Sequence, residues 1–263
     1  MSLDNKPVWM EYFNLTRLVS LAVMLRDGTR IVSYPRSGRT WLRLMLHGLS
    51  VDARFTHAGS KRILHRGPDT ICKDLPGHYR RRVLFLLRDP RDTVVSHFHH
   101  YVRQKVWAGD LPGFIRNPET GFERLLVFNL GWLEAQANFK AFTAVRYESL
   151  RRDTAGELAR IIAFLRCGKS TPEAIARTVA EHEFDTMKQR EQKGELHQRF
   201  GGRFTPGGGQ DNQRIVRRGV TGGYLDELTP DDLALCEQSL VRYDYQSRID
   251  RLVARAIGRN DGG

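Results

Sequence analysis

A short apolar segment near residue 31 runs directly into a turn rich in hydrogen-bond donors. A strand that enters a helix through such a turn leaves the first backbone N–H groups of the helix without intrahelical partners, and the helix dipole makes that end positive. Guanidinium and hydroxyl groups add further donors, so the pattern predicts a phosphate-binding strand-turn-helix. The turn and the start of the helix contain Arg36, Ser37, Gly38, Arg39, Thr40 and Trp41.

The turn differs from the phosphate loop of ATPases and GTPases. The pattern G-x-x-x-x-G-K-[ST] is absent from the sequence, so the lysine and the metal-binding hydroxyl of those proteins have no counterpart here. A nucleotide or small-molecule kinase remains an alternative because it would reuse the same strand-turn-helix. That alternative requires the missing Lys-[ST] pair and a carboxylate for magnesium.

A second strand and helix follow at residues 83–101. Residues 83–87 are all apolar, which is typical of a strand buried on both faces in a parallel sheet. Arg88 therefore lies at the carboxyl end of the strand, which is the edge where open α/β sheets bind ligands. Ser96 lies on the helix that follows.

These two segments resemble signature motifs of the sulfotransferase family. Residues 34–41, Tyr-Pro-Arg-Ser-Gly-Arg-Thr-Trp, are similar to the loop that binds the 5′-phosphosulfate of 3′-phosphoadenosine 5′-phosphosulfate (PAPS) in that family. Residues 88–96 resemble the family pattern R-[ND]-P-x-D-x-x-x-S. The resemblance implies that Arg88 and Ser96 hold the 3′-phosphate of the nucleotide.

A third segment, Arg217-Arg218-Gly219, resembles the family's R-K-G-x-x-G-D-W motif, which closes over the 3′-phosphate. Three positions depart from that motif: lysine is replaced by Arg218, aspartate by Gly223 and tryptophan by Tyr224. The first replacement keeps the cation and provides a planar fork suited to phosphate. The glycine-rich stretch 199–216 just before this segment predicts a mobile loop that acts either as a lid or as a linker.

Smaller similarities concern the adenine end of the nucleotide. Residues 145–150 resemble a strand end whose tyrosine, here Tyr147, approaches the base, and residues 184–188 resemble a segment that places Phe184 and Met187 beside it. Trp41 would offer an apolar face to the adenine. The motifs occur in the family's order from about residue 31 to 230, so the chain is identified as a member of the family.

The resemblance implies transfer of a sulfuryl group from PAPS to a hydroxyl or amine by in-line displacement. Such a site needs a base near the acceptor and cations near the leaving phosphate. Arg36 stands where the family has lysine and is the candidate for the contact with the leaving oxygen. A guanidinium stabilises negative charge but is a poor proton donor. No residue pattern suggests a metal ion.

The base is predicted to be a histidine between the first two motifs. His57 is favoured because Thr56-His57 resembles the family's K-T-H segment, although Phe55 replaces the lysine. His65 is the alternative. The helix after Arg88 adds three more histidines, some of which the helical periodicity directs toward the acceptor. These are His97, His99 and His100.

We expect an α/β fold made of a single domain over residues 1–263, with a central parallel sheet flanked by helices. Residues 158–165 place their apolar side chains on one helix face, and Thr229 followed by Pro230 marks the start of another helix. Residues 101–131 form a predicted loop-rich stretch with aromatic and basic side chains that could line an acceptor pocket. The acceptor is then a small molecule or a carbohydrate.

Composition agrees with an anionic ligand. The chain has 42 Lys and Arg against 30 Asp and Glu, a net charge of +12, which would also suit nucleic acid or an acidic membrane surface. Nucleic-acid binding is disfavoured because the basic residues converge on turns rather than on one helix or groove. Residues 18–25 are too short an apolar run to span a membrane. The separated cysteines Cys72, Cys167 and Cys236 favour a reducing, cytoplasmic compartment, and the oligomeric state stays open.

Overall fold

The computed structural model describes residues 28–51, 53–58, 81–166, 170–193 and 219–258. Their strands form one parallel sheet with the order β2-β1-β3-β4. Ile31 pairs with Phe55 on one side and with Leu84 on the other, and Leu84 pairs in turn with Thr143. The strands are β1 Arg30–Ser33, β2 Arg54–Thr56, β3 Arg82–Leu87 and β4 Ala141–Arg146.

Helices follow strands β1, β3 and β4 and cover both faces of the sheet. Many of them begin at a side-chain cap, and α9 has a full capping box in which Thr229 and Asp232 bond reciprocally. The α-helices are α1 Arg39–Gly48, α2 Pro90–Arg103, α3 Leu111–Arg116, α4 Phe122–Glu134, α5 Tyr147–Arg152, α6 Thr154–Leu165, α7 Pro172–Glu181, α8 Phe184–Gln192, α9 Pro230–Arg242 and α10 Tyr245–Gly258. Short 3-10 turns span Ala135–Asn138 and Gly223–Asp226.

Alternate residues of each strand enter two different cores. Val32 and Phe85 pack with α4 and α10 on one face, where Trp132 is fully buried. Ile31 and Leu84 pack with α1 and α6 on the other face. This alternation explains why residues 83–87 of β3 are all apolar, and it confirms the predicted α/β class with a parallel sheet between helices.

Because the strands are parallel, their carboxyl ends lie at one edge, and the predicted site residues follow those ends. The expectation of a loop-rich stretch over 101–131 is wrong for its second half. Residues 111–116 and 122–134 are helical, and α4 buries Phe122, Leu126 and Trp132 in the core. Within the described part of the chain, no helix is both long and apolar enough to cross a membrane.

Candidate functional site

The turn between β1 and α1 has an unusual backbone. Arg36 has φ 72° and Gly38 has φ 90°, so both occupy the left-handed region, which is costly for a non-glycine residue such as Arg36. Helix α1 has no side-chain cap and no acidic residue in its first turn. Ser37 is buried in the turn. The first N–H groups of α1 are thus presented to the turn without a carboxylate beside them, as an anion site requires.

Gly38 packs directly against the aromatic ring of Tyr147. A Cβ atom at Gly38 would lie 2.3 Å from Cδ2 of Tyr147, so only glycine permits this approach. The guanidinium of Arg88 lies over the same ring, 4.7 Å from its centroid. The structure therefore brings the turn, the end of β3 and the start of α5 together.

Trp41 is partly buried beside this cluster. Its Nε1 donates to the backbone oxygen of His182 at 2.8 Å, and its ring lies edge-on to Tyr147 with the centroids 6.0 Å apart. Arg151 lies over the Trp41 ring at 5.3 Å. Aromatic and guanidinium faces of this kind are suited to a purine base. No motif pointed to Arg151.

Arg36 and Ser96 are in contact, although the motifs assigned them to different ends of the nucleotide. Nε of Arg36 donates to Oγ of Ser96 at 3.2 Å. The turn after β1 and the second turn of α2 therefore share one polar surface.

Arg88 joins the end of β3 to a segment far along the chain. One guanidinium nitrogen donates to the backbone oxygen of Val220 at 3.0 Å and lies 3.5 Å from the carboxylate of Asp92. Asp92 is buried and accepts hydrogen bonds from the N–H groups of Gly222 and Tyr224 at 2.9 and 3.1 Å. The Nε of Arg88 is buried and has no hydrogen-bond partner among the described residues. A ligand oxygen there would satisfy it.

Gly219 and Phe184 also meet at this end of the site. Gly219 has φ 62°, and a Cβ atom there would lie 2.0 Å from Cδ2 of Phe184. Met187, one helical turn beyond Phe184 on α8, is buried. Phe184, one of the predicted adenine contacts, is thus a neighbour of the segment that carries Val220, the partner of Arg88.

His57 follows β2 directly, and its ring is oriented by the backbone. Nδ1 lies 2.7 Å from the carbonyl oxygen of Ser33. Because a carbonyl oxygen only accepts, Nδ1 carries the proton and Nε2 presents a lone pair. Burial, followed by the charge of Arg39, lowers the pKa of His57 to about 4, so the imidazole is neutral near pH 7. Trp132 Nε1 donates to the oxygen of Ala58 at 3.1 Å and fixes the following turn.

The three histidines of α2 have different surroundings. His97 is buried against Tyr34 and Tyr101, and His99 bonds to Glu227. His100 instead has its Nδ1 at 2.7 Å from a guanidinium nitrogen of Arg103. Burial lowers the pKa of His100 to about 4, with further lowering by the charges of Arg36, Arg103 and His57. His100 therefore belongs to the neighbourhood of the predicted base.

Several predicted features lie outside the described residues. These are His65, Arg217, Arg218, the stretch 199–216, the apolar run 18–25, Cys72 and Cys167. The thiol of Cys236 is buried in the core, where desolvation raises its pKa. In the part of the chain that the structure describes, no group of three or more His, Cys, Asp or Glu side chains is arranged to hold a metal ion.

Comparison with known proteins agrees with this arrangement. A family model described as the sulfotransferase domain matches residues 78–239, which is more than half of the chain. Human sulfotransferase 2B1 is 29% identical over 198 residues, which cover 62% of this chain and 52% of that protein. Mouse sulfotransferase 2A2 is 24% identical over 246 residues, covering 79% and 80%. The chain thus spans about half the length of the human relative that it matches.

A solved structure has the same fold. The crystal structure of the mouse sulfotransferase SULT7A1, complexed with PAP, matches with a TM-score of 0.64 at 19% sequence identity. The match covers 87% of this chain and 88% of the mouse chain.

Proposed function

The chain belongs to the sulfotransferase family, and we propose that it transfers a sulfuryl group from PAPS to a hydroxyl or amine of an acceptor. The proposal is based on the sequence motifs and on the positions of their residues in the structure. The observation that carries it is Arg88, a cation whose buried Nε has no partner in the described chain. Its guanidinium lies over the ring of Tyr147, the same ring against which Gly38 of the turn packs.

The described residues fit a nucleotide with phosphates at both ends. The N–H groups at the start of α1, together with Ser37, Arg39 and Thr40, would hold the 5′-phosphosulfate. Arg88 would hold the 3′-phosphate, and Ser96 would share it. Trp41 and Tyr147 would flank the base, and Phe184 and Met187 would pack beside it.

PAPS, when bound, supplies the sulfuryl group and the phosphate leaving group. The protein must remove a proton from the acceptor and stabilise the charge that develops on the leaving oxygen. The lone pair on Nε2 of His57 is available for the proton because Ser33 holds the other nitrogen protonated. Arg36 would stabilise the leaving charge. Its contact with Ser96 would hold its guanidinium in place within the site.

The experiment is a thermal-shift comparison of adenosine 3′,5′-bisphosphate (PAP) and AMP, both without metal, with ATP in the presence of magnesium. PAP should stabilise the protein well beyond AMP, because the buried Nε of Arg88 gains an anionic acceptor only from the 3′-phosphate. In the Arg88→Ala variant, the thermal stabilisation by PAP should fall to that given by AMP. Equal stabilisation by PAP and AMP, or a preference for ATP with magnesium, would contradict the proposal.

A further inference from the structure

The side chains of His100 and Arg103 form a polar pair on α2, next to the residues assigned to sulfuryl transfer. We propose that His100, oriented by Arg103, binds an anionic group of the acceptor, close to the hydroxyl that receives the sulfuryl group. The inference rests on the proposed function and names the acceptor class as hydroxy compounds that also carry a carboxylate or a similar anion.

The position of the pair follows from the helix. Ser96, His100 and Arg103 are spaced by four and three residues, so they share one face of α2. The contact between Ser96 and Arg36 shows that this face is directed at the turn after β1. His100 is one helical turn beyond Ser96, so it lies beside the turn that carries the predicted cation of the reaction.

The two histidines of the site present opposite hydrogen-bonding groups. A guanidinium nitrogen only donates, so Arg103 requires the Nδ1 of His100 to accept, and the ring proton is on Nε2. Within the described chain, the Nε2 atoms of His57 and His100 make no hydrogen bond to the protein. His57 thus offers a lone pair to a hydroxyl proton, and His100 offers an N–H group to a second acceptor atom.

The charges around these rings favour an anion as that second group. Among the described residues, the charged side chains that lower the pKa values of His57 and His100 are four arginines, and His57 also acts on His100. The arginines are Arg36, Arg39, Arg43 and Arg103. A carboxylate near His100 would accept its N–H group and interact favourably with these cations.

Aromatic side chains, here called the aromatic wall, lie next to the pair of His100 and Arg103 and determine the choice of probe. The ring of Tyr101 contacts those of His100 and Phe114, with centroid distances of 6.3 and 5.5 Å. A phenol that carries a carboxylate therefore matches the three features of the site, which are the base, the donor and the aromatic wall. The distance between hydroxyl and carboxylate is varied by using a series of chain lengths.

The test uses the full chain saturated with PAP and isothermal titration calorimetry. The probes are para-hydroxybenzoate, para-hydroxyphenylacetate and para-hydroxyphenylpropionate, each compared with its neutral carboxamide. At least one acid should bind about tenfold or more tightly than its amide, as expected for a hydrogen bond to a charged group. His100→Phe should bring that ratio close to one, and His100→Gln, which keeps an N–H donor, should restore part of it.

His99→Phe is the matched control on the same helix, because His99 bonds to Glu227 instead, and it should retain the ratio. The inference is overturned if acids and amides bind equally, if His100→Phe keeps the preference, or if none of the probes binds while PAP does. Failure of PAP itself to bind would instead contradict the proposed function, so the two failures are distinguishable.

Discussion

The carboxylate of Asp92 accepts a hydrogen bond at 2.9 Å from the backbone N–H of Gly222, a residue 130 positions later in the chain. A second bond, from the N–H of Tyr224, engages its other oxygen at 3.1 Å. The same carboxylate lies 3.5 Å from Arg88, which in turn donates to the oxygen of Val220. Asp92 and Arg88 thus fasten residues 220–224 to the start of α2 beside the proposed 3′-phosphate position.

Asp92→Asn should therefore weaken PAP binding more than AMP binding. The amide keeps one acceptor oxygen but loses the charge that orients Arg88, and only PAP uses Arg88 through a 3′-phosphate. We expect PAP affinity to fall about tenfold and AMP affinity to change little, as measured by calorimetry. Asp231→Asn, at an exposed aspartate of α9, is the control. An equal loss for both nucleotides would mean that Asp92 is needed only for the fold.

Gly38→Ala should destabilise the protein and impair nucleotide binding. The added Cβ atom would combine an unfavourable φ of 90° with an approach of 2.3 Å to Tyr147. We expect a loss of about 2–5 kcal/mol in the free energy of unfolding. Gly222→Ala is the matched comparison, since Gly222 has φ 77° with nothing within 4 Å of the added atom. Its cost should be about 1–2 kcal/mol, and equal costs would exclude the contact with Tyr147 as the cause.

His57→Ala should lower kcat by about 10²–10⁴-fold while PAP affinity stays near that of the natural protein. The reason is that a general base acts on the acceptor and contributes little to donor binding. His47→Ala, at an exposed histidine of α1, should leave both quantities unchanged. If His57→Ala remains active and His65→Ala is inactive, the base is His65.

His97 should make folding sensitive to acid. Burial lowers its pKa to about 3 from 6.5, so the unfolded chain takes up a proton between these values and the folded protein does not. Its stabilising contribution is complete above pH 6.5 and declines as the pH falls toward 3. His57 and His100 act in the same direction.

Denaturant unfolding over a series of pH values tests this. His97→Phe should flatten the dependence of the unfolding free energy on pH below 6.5, whatever its effect on the absolute stability. The slope of the unfolding free energy against pH reports the titration of His97. The stability at a single pH also includes the change in packing. An unchanged slope would show that His97 is protonated in the folded protein or does not titrate in this range.

Local patterns predicted the elements that build the site. The apolar run at 83–87 reports burial on both faces, and the turn before α1 is recognisable because its donors stand between a strand and a helix. Such patterns depend on neighbouring residues alone. They failed for α4, whose helix was taken for part of a loop-rich stretch.

The sequence by itself determined the fold class, the strand-turn-helix that begins at β1 and the family, because these depend on residues close together in the chain. The tertiary structure decided which strand ends lie side by side and which site residues touch. The order β2-β1-β3-β4 brings His57, Arg36 and Arg88 to one edge of the sheet, and packing sets the contacts of Arg36 with Ser96 and Asp92 with Gly222. These pairs are 60 and 130 residues apart, so no local periodicity relates them, and only strand order and helix packing bring them together.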